Sequence, residues 1–528
     1  MKKSTLIRLL SLLLALVLAL GLVACGNADA PADEPAQEPA DAPAADKPAE
    51  EPAEEPAEEP AEEPASEPVT LKWYLGGNAP QADQETVSNA MEAYILENYG
   101  LNLNLELIVT DFGSFSDKAQ MVIASGEEYD IIWTSSWCNN YVPAVSKNAY
   151  LPLDDLLAEY GADFYAAVPE GIWDATRING KIYAMPSYQI ECTTCCIGIV
   201  KSYVDEFGLD VDSVHSLQDL DGFFREVKAA YPDIYPLNLY NGTWRNLVLN
   251  EGYEALANLQ IPGAIGLYDD TLTVMNQYDL PSVQADMKQL YEWCQDGIIR
   301  MDASTVQESG KPNCQAGMHI ASINSTYVPY STETEYTDTF SGQEIVVIKL
   351  SDAYASTASP ISTLNAISAT SKHPEVAMQF LNILNTDPAL FNMICFGIQD
   401  VHYTLNADGT VTPIDGAGYD PNADWVFGNQ FLAYPREGQP ADVWEQVKAY
   451  TDAAVVSPAM GFMFDAAPVA NEVAACTAVF DQYFAPIWVG SVDPETALPE
   501  AMEKMEAAGY KVVMEELQKQ LDAWAATK

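Results

Sequence analysis

From Val69 onward the chain alternates short apolar runs with amphipathic segments, and this alternation decides its fold class. The first five predicted elements are a strand over 69–77, a helix over 82–99, a strand over 101–109, a short helix around 117–124 and a strand over 129–134. Gly76 and Gly77 end the first strand, and Gly100 ends the first helix. Strands that alternate with helices are typical of a mostly parallel sheet with helical crossovers. The sequence therefore predicts an α/β protein.

The rest of the chain continues the same mixture of elements. It predicts a hairpin over 177–186 on the Asn179-Gly180 turn, strands over 316–324 and 343–350, a helix over 373–384 that begins at Pro374, and a helical end over 494–524 broken at Gly509. On the last helix, Glu515 and Lys519 lie one turn apart and are expected to pair. The segment "NADGT" (406–410) resembles a calcium loop but lacks the remaining oxygen ligands, so a hairpin turn is expected there.

The first 25 residues have the pattern of a secretory signal. Lys2, Lys3 and Arg8 precede a nearly continuous Leu, Val and Ala run over 9–23, which is short for a membrane span. The run ends in Leu-Val-Ala-Cys (22–25), which resembles the lipobox of bacterial lipoproteins. That resemblance implies removal of residues 1–24 and a diacylglycerol on the thiol of Cys25. An ordinary signal peptide with a chance cysteine is the alternative.

Residues 26–68 cannot form a core. They contain ten prolines, fifteen acidic residues and a single basic residue, Lys47, with no Ile, Leu, Phe, Met or aromatic residue. Such a segment buries too little apolar surface to offset the entropy of ordering, and its prolines and like charges keep it extended. We expect residues 25–68 to be a lipidated cysteine followed by a disordered acidic tether.

Charge and cysteine content restrict the partners of the remaining chain. Residues 69–528 carry 20 basic and 62 acidic residues, a balance that repels nucleic acid and anionic lipid. Eight cysteines follow Cys25 without the spacing of a small disulfide framework. Within them, "CTTCC" (192–196) contains a C-x-x-C that suits a redox or metal pair. No second pair stands at zinc-site spacing, and "CCIGIV" (195–200) favours a buried strand.

Motifs of the common enzyme classes are absent from the sequence. Its four histidines form no H-E-x-x-H pair, no G-x-S-x-G occurs, and no Gly-rich phosphate loop follows a predicted strand. Two facing carboxylates would suffice for a glycosidase, and with 62 acidic residues that possibility stays open as the weaker alternative. The sequence favours a binding protein without catalytic residues, metal or cofactor.

Several stretches, in this order, resemble the extracellular solute-binding proteins of family 1, the sugar-binding type of ABC importers. They are "EEYDIIWTSSWCNNYVPAVSKNAYLPLDDLL" (127–157), "NGKIYAMPSYQI" (179–190) and "STLNAISATSKHPEVAMQFLNILNTDPAL" (362–390). The stretches 387–411, 457–476 and 498–524 are similar to a subgroup that carries an additional C-terminal module of uncharacterised function. Together these similarities cover most of residues 69–526.

The resemblance implies a type II periplasmic-binding-protein-like fold with two hinge-linked α/β lobes and a ligand cleft between them. The expected domains are a signal peptide at 1–24, the tether at 25–68, lobe 1 at 69–189 and 316–360, lobe 2 at 190–315 and 361–395, and a C-terminal module at 396–528 that completes and packs on lobe 2. Hinges are expected just after Pro186 and around Asn365.

Ligands of open α/β sheets lie beyond the carboxyl ends of the strands, so the loops at those ends supply the candidate contacts. The candidate ligand-binding residues are Asn78, Ser135, Trp137, Tyr188, Glu191, Tyr240, Trp244, Arg245, Asn324 and Asn365. Flat rings stack on the C–H faces of a neutral sugar, while amides, Arg and carboxylates hold its hydroxyls. Trp133, Trp73 and Trp293 are expected to be core residues, and Trp137 suits cleft and core equally.

The function expected from these features is that of a lipid-anchored extracellular receptor. It binds a carbohydrate, preferably an oligosaccharide, and delivers it to the permease subunits of an ABC importer. We expect a monomer on the outer face of the cell membrane, attached through the lipid alone. The same fold binding a peptide or another polar solute is the alternative.

Overall fold

The computed structural model describes residues 67–78, 80–240, 252–306 and 310–528, and strands and helices are numbered in chain order within them. Two sheets organise these residues. The first sheet has the strand order β2-β1-β3-β14-β6. Its strands are β1 (Val69–Gly76), β2 (Leu103–Thr110), β3 (Ile131–Thr134), β6 (Met185–Pro186) and β14 (Leu364–Ile367). The strands β1, β2 and β3 run parallel, and β14 runs antiparallel to β3 and β6. The parallel arrangement predicted for the first three strands is confirmed.

The second sheet has the strand order β12-β7-β11-β8. Its strands are β7 (Cys196–Val200), β8 (Leu237–Asn238), β11 (Ala321–Asn324) and β12 (Ile345–Lys349). Every residue of β7 is buried, because the strand lies between two neighbours in the centre of the sheet. The interpretation of "CCIGIV" as a buried strand is therefore confirmed from Cys196 onward.

Helices cover both sheets. The α-helices of the described residues are α1 (Gln84–Tyr99), α2 (Phe112–Ser125), α3 (Tyr141–Ser146), α4 (Asp154–Tyr160), α5 (Ala162–Ala167), α6 (Glu170–Thr176), α7 (Lys201–Phe207), α8 (Asp221–Ala230), α9 (Pro281–Gln295), α10 (Lys311–Gln315), α11 (Ser331–Thr339), α12 (Pro374–Leu384), α13 (Pro388–Phe396), α14 (Asp424–Phe427), α15 (Val443–Asp452), α16 (Ala470–Val479), α17 (Ala485–Trp488), α18 (Pro494–Ala508) and α19 (Tyr510–Ala525). Gly100 ends α1 with φ 67°, the left-handed conformation that glycine adopts without steric cost.

Short hairpins complete the architecture: β4 (Arg177–Ile178) with β5 (Lys181–Ile182), β9 (Tyr253–Ala255) with β10 (Ala264–Gly266), and β15 (Tyr403–Leu405) with β16 (Val411–Pro413). The Asn179-Gly180 turn has positive φ at both residues, as its hairpin requires. The hairpin turn predicted at "NADGT" is confirmed between β15 and β16. The predicted Glu515–Lys519 pair is wrong, because Lys519 pairs with Glu516 at 2.8 Å.

Each sheet has its own apolar core, and we call the two bodies the first and second lobe. The first lobe buries Trp73 and Trp133, and the second buries Trp293, so all three tryptophans are core residues as expected. A smaller apolar cluster joins the lobes, with Ile190 and Cys192 packed against Val443 and Val447 of α15. The helix α15 thus lies against the connections between the lobes.

The chain passes between the lobes three times, which we call the first (187–195), second (350–363) and third (435–457) crossing. Thr193 of the first crossing exchanges backbone hydrogen bonds with Tyr354 of the second, at 2.8 and 2.9 Å. The strand β13 (Tyr354–Ala355) of the second crossing pairs in parallel with β17 (Val455–Val456) of the third. The two hinges expected from the sequence are therefore joined by a third connection.

The expected division of 190–395 between the lobes is wrong in two places. The strands β11 and β12, expected in lobe 1 within 316–360, both flank β7 in the second sheet. The strand β14, expected in lobe 2 within 361–395, pairs residue by residue with β3 in the first sheet. All three strands are four or five residues long and mix apolar with polar residues, so their composition carries no information about which sheet they join.

The predicted C-terminal module also divides between the lobes. Residues from Phe396 to Ala433 contribute to the first lobe's core, whereas those from Val469 to Val513 contribute to the second lobe's core. The prediction that the C-terminal module packs on lobe 2 is therefore correct only for the later part of that module. Within the described part of the chain, no helix combines the length and the apolar character that crossing a membrane requires.

Candidate functional site

The carboxyl ends of the parallel strands β1, β2 and β3 meet at one edge of the first sheet. Asp111 follows β2, and its side chain accepts a hydrogen bond from the backbone N–H of Ser114 at 3.0 Å. This bond caps the helix α2, which therefore begins at Phe112, two residues after the end of the strand. Ser135, Ser136 and Trp137 follow β3. This edge is where the rule for open α/β sheets places a ligand.

Four aromatic side chains form a continuous cluster at this edge: Phe112, Trp133, Trp137 and Trp425. Trp133 is fully buried, Phe112 and Trp425 are half-buried, and Trp137 is 52 % exposed. The rings of Phe112 and Trp425 stack at 5.3 Å with 18° between their planes, and the ring of Trp137 lies 5.4 Å from that of Trp133. We call this group the aromatic cluster. Its exposed part is a flat apolar surface beside the first and second crossings.

Gly76, the last residue of β1, makes room for the aromatic cluster. A Cβ on Gly76 would stand 2.9 Å from the ring of Trp133 and 3.1 Å from that of Phe112. Those distances are shorter than normal van der Waals contact, so the two rings reach their positions because this residue has no side chain.

Ser135 orients Trp137 and is itself buried. Its hydroxyl donates to the carbonyl of Cys138 at 2.6 Å and accepts the backbone N–H groups of Trp137 and Cys138 at 3.2 and 2.6 Å. The indole N–H of Trp137 donates to the carbonyl of Ser362 in the second crossing at 2.9 Å. The structure thus favours a supporting role for Ser135 instead of the predicted ligand contact, and it attaches Trp137 to the hinge.

Asn365 also supports the structure, contrary to its prediction as a ligand residue. The side chain is 2 % exposed, its Oδ1 accepts the indole N–H of Trp73 at 3.0 Å, and its Nδ2 donates to the carbonyl of Val426 at 3.0 Å. Both ends of the amide are therefore occupied by protein groups. Asn78 is exposed after β1, with its Nδ2 donating to the carbonyl of Pro421 at 2.7 Å.

The first crossing places two predicted residues beside the hinge. The half-buried Tyr188 packs edge-to-face against Phe431 at 4.7 Å, and Lys448 Nζ lies 5.7 Å from the Tyr188 ring. Glu191 is 6 % exposed, and neither of its carboxylate oxygens has a hydrogen-bond partner within 67–78, 80–240, 252–306 and 310–528. Burial raises the pKa of Glu191 well above its ordinary value.

The second lobe contributes the remaining candidates. Asn324 ends β11 and is half-buried, and its Oδ1 accepts the backbone N–H of Thr326 at 3.3 Å. Tyr240 is half-buried at the end of the described segment 80–240. Trp244 and Arg245 lie outside the described residues.

The sequence did not identify Phe112 or Trp425 as site residues. Phe112 lies three residues after the strand predicted over 101–109. The rule that ligands lie beyond the carboxyl ends of strands, which identified Trp137, therefore applied to Phe112 as well. Trp425 had no such signal, because it reaches the cluster from a segment nearly 300 residues later. That segment is held by the carbonyls of Pro421 and Gly418, which accept hydrogen bonds from Asn78 and from the backbone N–H of Asp83.

None of the cysteines in the described residues forms a disulfide, and all of them are buried, including the three of "CTTCC". Burial raises the pKa of Cys192 to about 11 and that of Cys196 to about 12, so both thiols are protonated and poorly nucleophilic near neutral pH. No group of three His, Cys, Asp or Glu side chains in the described segments is arranged to hold a metal ion. These observations favour a structural role for the cysteines of "CTTCC".

Known proteins resemble this chain in sequence and in fold. Residues 458–526 match the model of a domain of unknown function, DUF3502. A carbohydrate ABC transporter substrate-binding protein of Streptococcus pneumoniae serotype 4 is 27 % identical over 462 residues, which is 87 % of this chain and 91 % of that protein.

Solved structures give the same result. The N-glycan transport solute-binding protein NgtS of Streptococcus pneumoniae, in complex with Man1GlcNAc, is 25 % identical with a TM-score of 0.74, covering 86 % of this chain and 99 % of that one. A solute-binding protein of Bifidobacterium longum infantis described as HMO-binding is 13 % identical with a TM-score of 0.60, covering 87 % and 99 %, and shows the likeness of fold. The resemblance found in the sequence is thereby confirmed: over most of its length the chain is similar to carbohydrate-binding proteins of ABC importers, it has the type II solute-binding-protein fold, and residues 458–526 match DUF3502.

Proposed function

We propose that this protein binds an oligosaccharide in the cleft between its lobes and delivers it to an ABC permease. The observation that carries the proposal is the aromatic cluster, with Trp137 half exposed at the carboxyl edge of the first sheet and attached to the second crossing. A flat indole in this position suits the apolar C–H face of a pyranose ring. The names of the pneumococcal relative and of NgtS indicate carbohydrate and N-glycan ligands, and they support the same class of ligand.

Polar groups near the cluster suit the hydroxyls of a sugar. The side chain of Gln189 reaches Ser362, the residue whose carbonyl holds the indole of Trp137, so the first crossing lies beside the aromatic surface. Glu191, two residues further, has two unpartnered oxygens that can accept hydroxyl donors. A bound sugar that supplies those donors would remove the cost of burying the carboxyl without partners.

The proposed contact residues follow from these positions. Trp137, Phe112 and Trp425 supply a stacking surface, Trp244 is assigned as a further stacking residue, and the polar contacts are assigned to Asn78, Tyr188, Glu191, Tyr240, Arg245 and Asn324. Ser135 and Asn365 support the site without contacting the ligand, because their polar atoms are bonded to protein groups.

Substrate-binding proteins of ABC importers are extracellular, and we propose that this one is held at the membrane by a lipid on Cys25. The lipobox-like residues 22–25 and the acidic segment that follows support this attachment. We further propose that the protein acts as a monomer and contacts nothing in the membrane except its lipid and the permease subunits.

A thermal-shift screen of the full chain tests the proposal. The probes are mannose- and GlcNAc-containing oligosaccharides, fructans, alginate oligosaccharides and short peptides. A ligand present at 100 times its dissociation constant adds about 2.7 kcal/mol to the free energy of unfolding, which gives a clear rise in melting temperature. Stabilisation by peptides alone would refute the carbohydrate proposal, and cleavage of a stabilising glycan would refute the receptor proposal.

A further inference from the structure

Glu254, on the strand β9 of the second lobe, is a buried carboxyl that contacts the third crossing. It is 8 % exposed, and the hydroxyl of Ser457 donates a hydrogen bond to its Oε2. The same hydroxyl accepts the backbone N–H of Ala459 at 3.0 Å. Ser457 directly follows β17, so this contact fixes the point at which the third crossing enters the second lobe.

The second crossing is attached to the same point. The backbone N–H of Ser457 donates to the carbonyl of Ala355 at 2.8 Å. The hydroxyl of Thr357 donates to the carbonyl of Ala459 at 3.3 Å and accepts the backbone N–H of Gly461 at 2.7 Å. The Glu254–Ser457 contact therefore holds two of the three crossings against one hairpin of the second lobe.

The surroundings of Glu254 are mostly apolar. Ile265 pairs with it across the hairpin, and Ile265 belongs to an apolar cluster with Ala459 and Leu517. Burial raises the pKa of Glu254 to about 7, and the hydrogen bond from Ser457 offsets only part of that shift.

The other titratable groups near this point are Tyr354 of the second crossing, Asp352 with Tyr268 hydrogen-bonded to it at 2.9 Å, and Lys528 beside Gly461. Burial raises the pKa of Tyr354, so its phenol stays neutral in the physiological range. Of these groups, Tyr354 is the one coupled electrostatically to Glu254 in the described part of the chain.

We propose that the Glu254–Ser457 contact is a proton-sensitive attachment of the hinge, closed when the carboxyl is protonated and weakened when the carboxyl is ionised. The carboxylate loses hydration when the contact is closed, and it regains that hydration when the third crossing separates from the hairpin. Between the open-state and the closed-state pKa of the carboxyl, each contact that opens releases about one proton to solvent; above the closed-state pKa the carboxyl has already lost that proton. The flexibility of the hinge, and with it the equilibrium between open and closed lobes, then depends on pH around neutrality.

The size of the effect follows from linkage between proton binding and opening. If the pKa of the carboxyl is about 7 when the contact is closed and has its ordinary value of 4.5 when the contact is open, the opening equilibrium constant increases about tenfold between pH 6 and pH 8. The direction is fixed: stability of the closed contact is complete below the open-state pKa and is lost as the pH rises through the closed-state pKa.

Hydrogen exchange of the full chain tests this proposal without a ligand. After correction for intrinsic exchange rates, the protection of the Ala459 and Gly461 amides is expected to fall about tenfold from pH 6 to pH 8. Glu254→Gln keeps a hydrogen-bonding side chain of the same size and cannot ionise, so its protection is expected to be independent of pH. Glu503→Gln, at an exposed position on α18, removes an equal charge and is expected to behave as the wild type.

A second variant tests the sign independently. Ser457→Ala removes the hydrogen bond that favours ionisation, so the midpoint of the protection change is expected to move to higher pH; it is read at the Gly461 amide, which bonds Thr357 and keeps its acceptor in this variant. A wild-type protein whose protection does not change with pH would overturn the proposal. So would a Glu254→Gln variant that keeps the full change, or a Ser457→Ala midpoint that stays or falls.

Discussion

Replacement of Trp137 by alanine separates ligand binding from structural support in the aromatic cluster. The side chain is 52 % exposed, so roughly half of its surface is already hydrated and open to a ligand. A stacked aromatic ring contributes about 1 to 3 kcal/mol to binding when the comparison is its alanine variant. We therefore expect Trp137→Ala to weaken oligosaccharide binding by roughly 5-fold to 150-fold.

The cost to folding is also bounded by the structure. The buried half of the indole amounts to about 120 Å², which at about 25 cal/mol per Å² gives at most about 3 kcal/mol. The hydrogen bond to the Ser362 carbonyl adds about 1 kcal/mol. Trp137→Phe keeps a flat ring and loses that bond, so it is expected to retain most of the affinity with a small loss of stability.

Isothermal titration calorimetry and thermal unfolding on the same preparations measure both quantities. Tyr231→Ala is the matched control, because Tyr231 is a partly exposed aromatic residue that packs on Tyr203 and Phe207 in the second lobe, outside the proposed site. It should lose some stability without a change in affinity. If Trp137→Ala melts at a lower temperature but binds oligosaccharide as tightly as the wild type, the assignment of Trp137 to the binding surface is wrong.

Four further predictions follow from the same structure. Gly76→Ala is expected to displace Trp133 and Phe112, weakening binding and lowering the melting temperature, whereas Gly171→Ala, with nothing within 4 Å of its added Cβ, should do neither. Burial raises the pKa of Glu191, so the stability that its carboxyl contributes is complete below the pKa of the unfolded state and is lost as the pH rises through the pKa of the folded state. Glu191→Gln should remove that part of the pH dependence of thermal unfolding. A variant with the wild-type pH profile would contradict the raised pKa of Glu191. Cys25→Ser should leave a folded protein that no longer partitions with detergent after expression in its host, and unchanged partitioning would exclude the lipid anchor. Small-angle scattering of the full chain should show a smaller radius of gyration at saturating oligosaccharide, and an unchanged radius would count against closure of the lobes.

Local elements could be predicted because their signals are short in range. The glycine at position 100 ended a helix, the Asn179-Gly180 pair made a hairpin, and Pro374 began a helix, each through a conformational preference of one or two residues. The membership of strands in sheets could not be predicted in this way. Leu364–Ile367 joins the first sheet through pairing with β3, and Ile345–Lys349 joins the second through pairing with β7, although both are short, mainly apolar runs with one polar residue each.

The site was predictable in part for the same reason. Trp137 follows a predicted strand and Glu191 lies at the first predicted hinge, so their positions in the sequence made both of them candidates. Asn365 stands at the second predicted hinge, but its amide bonds the indole of Trp73 and the backbone at Val426, which sequence position alone does not reveal. Trp425 required knowledge of a contact between segments that are distant in sequence.

A crystal structure of the full chain with the oligosaccharide that stabilises it most tests the central claim directly. We expect a sugar ring within about 4 Å of the Trp137 indole. The same ligand is expected to contact the second lobe at Asn324 or Tyr240 and to direct hydroxyl donors toward Glu191. The chain offers another aromatic depression for comparison, lined by Tyr165 and Trp173 on the first lobe. A sugar bound there, with the cleft beside Trp137 filled only by solvent, would contradict the proposed binding site.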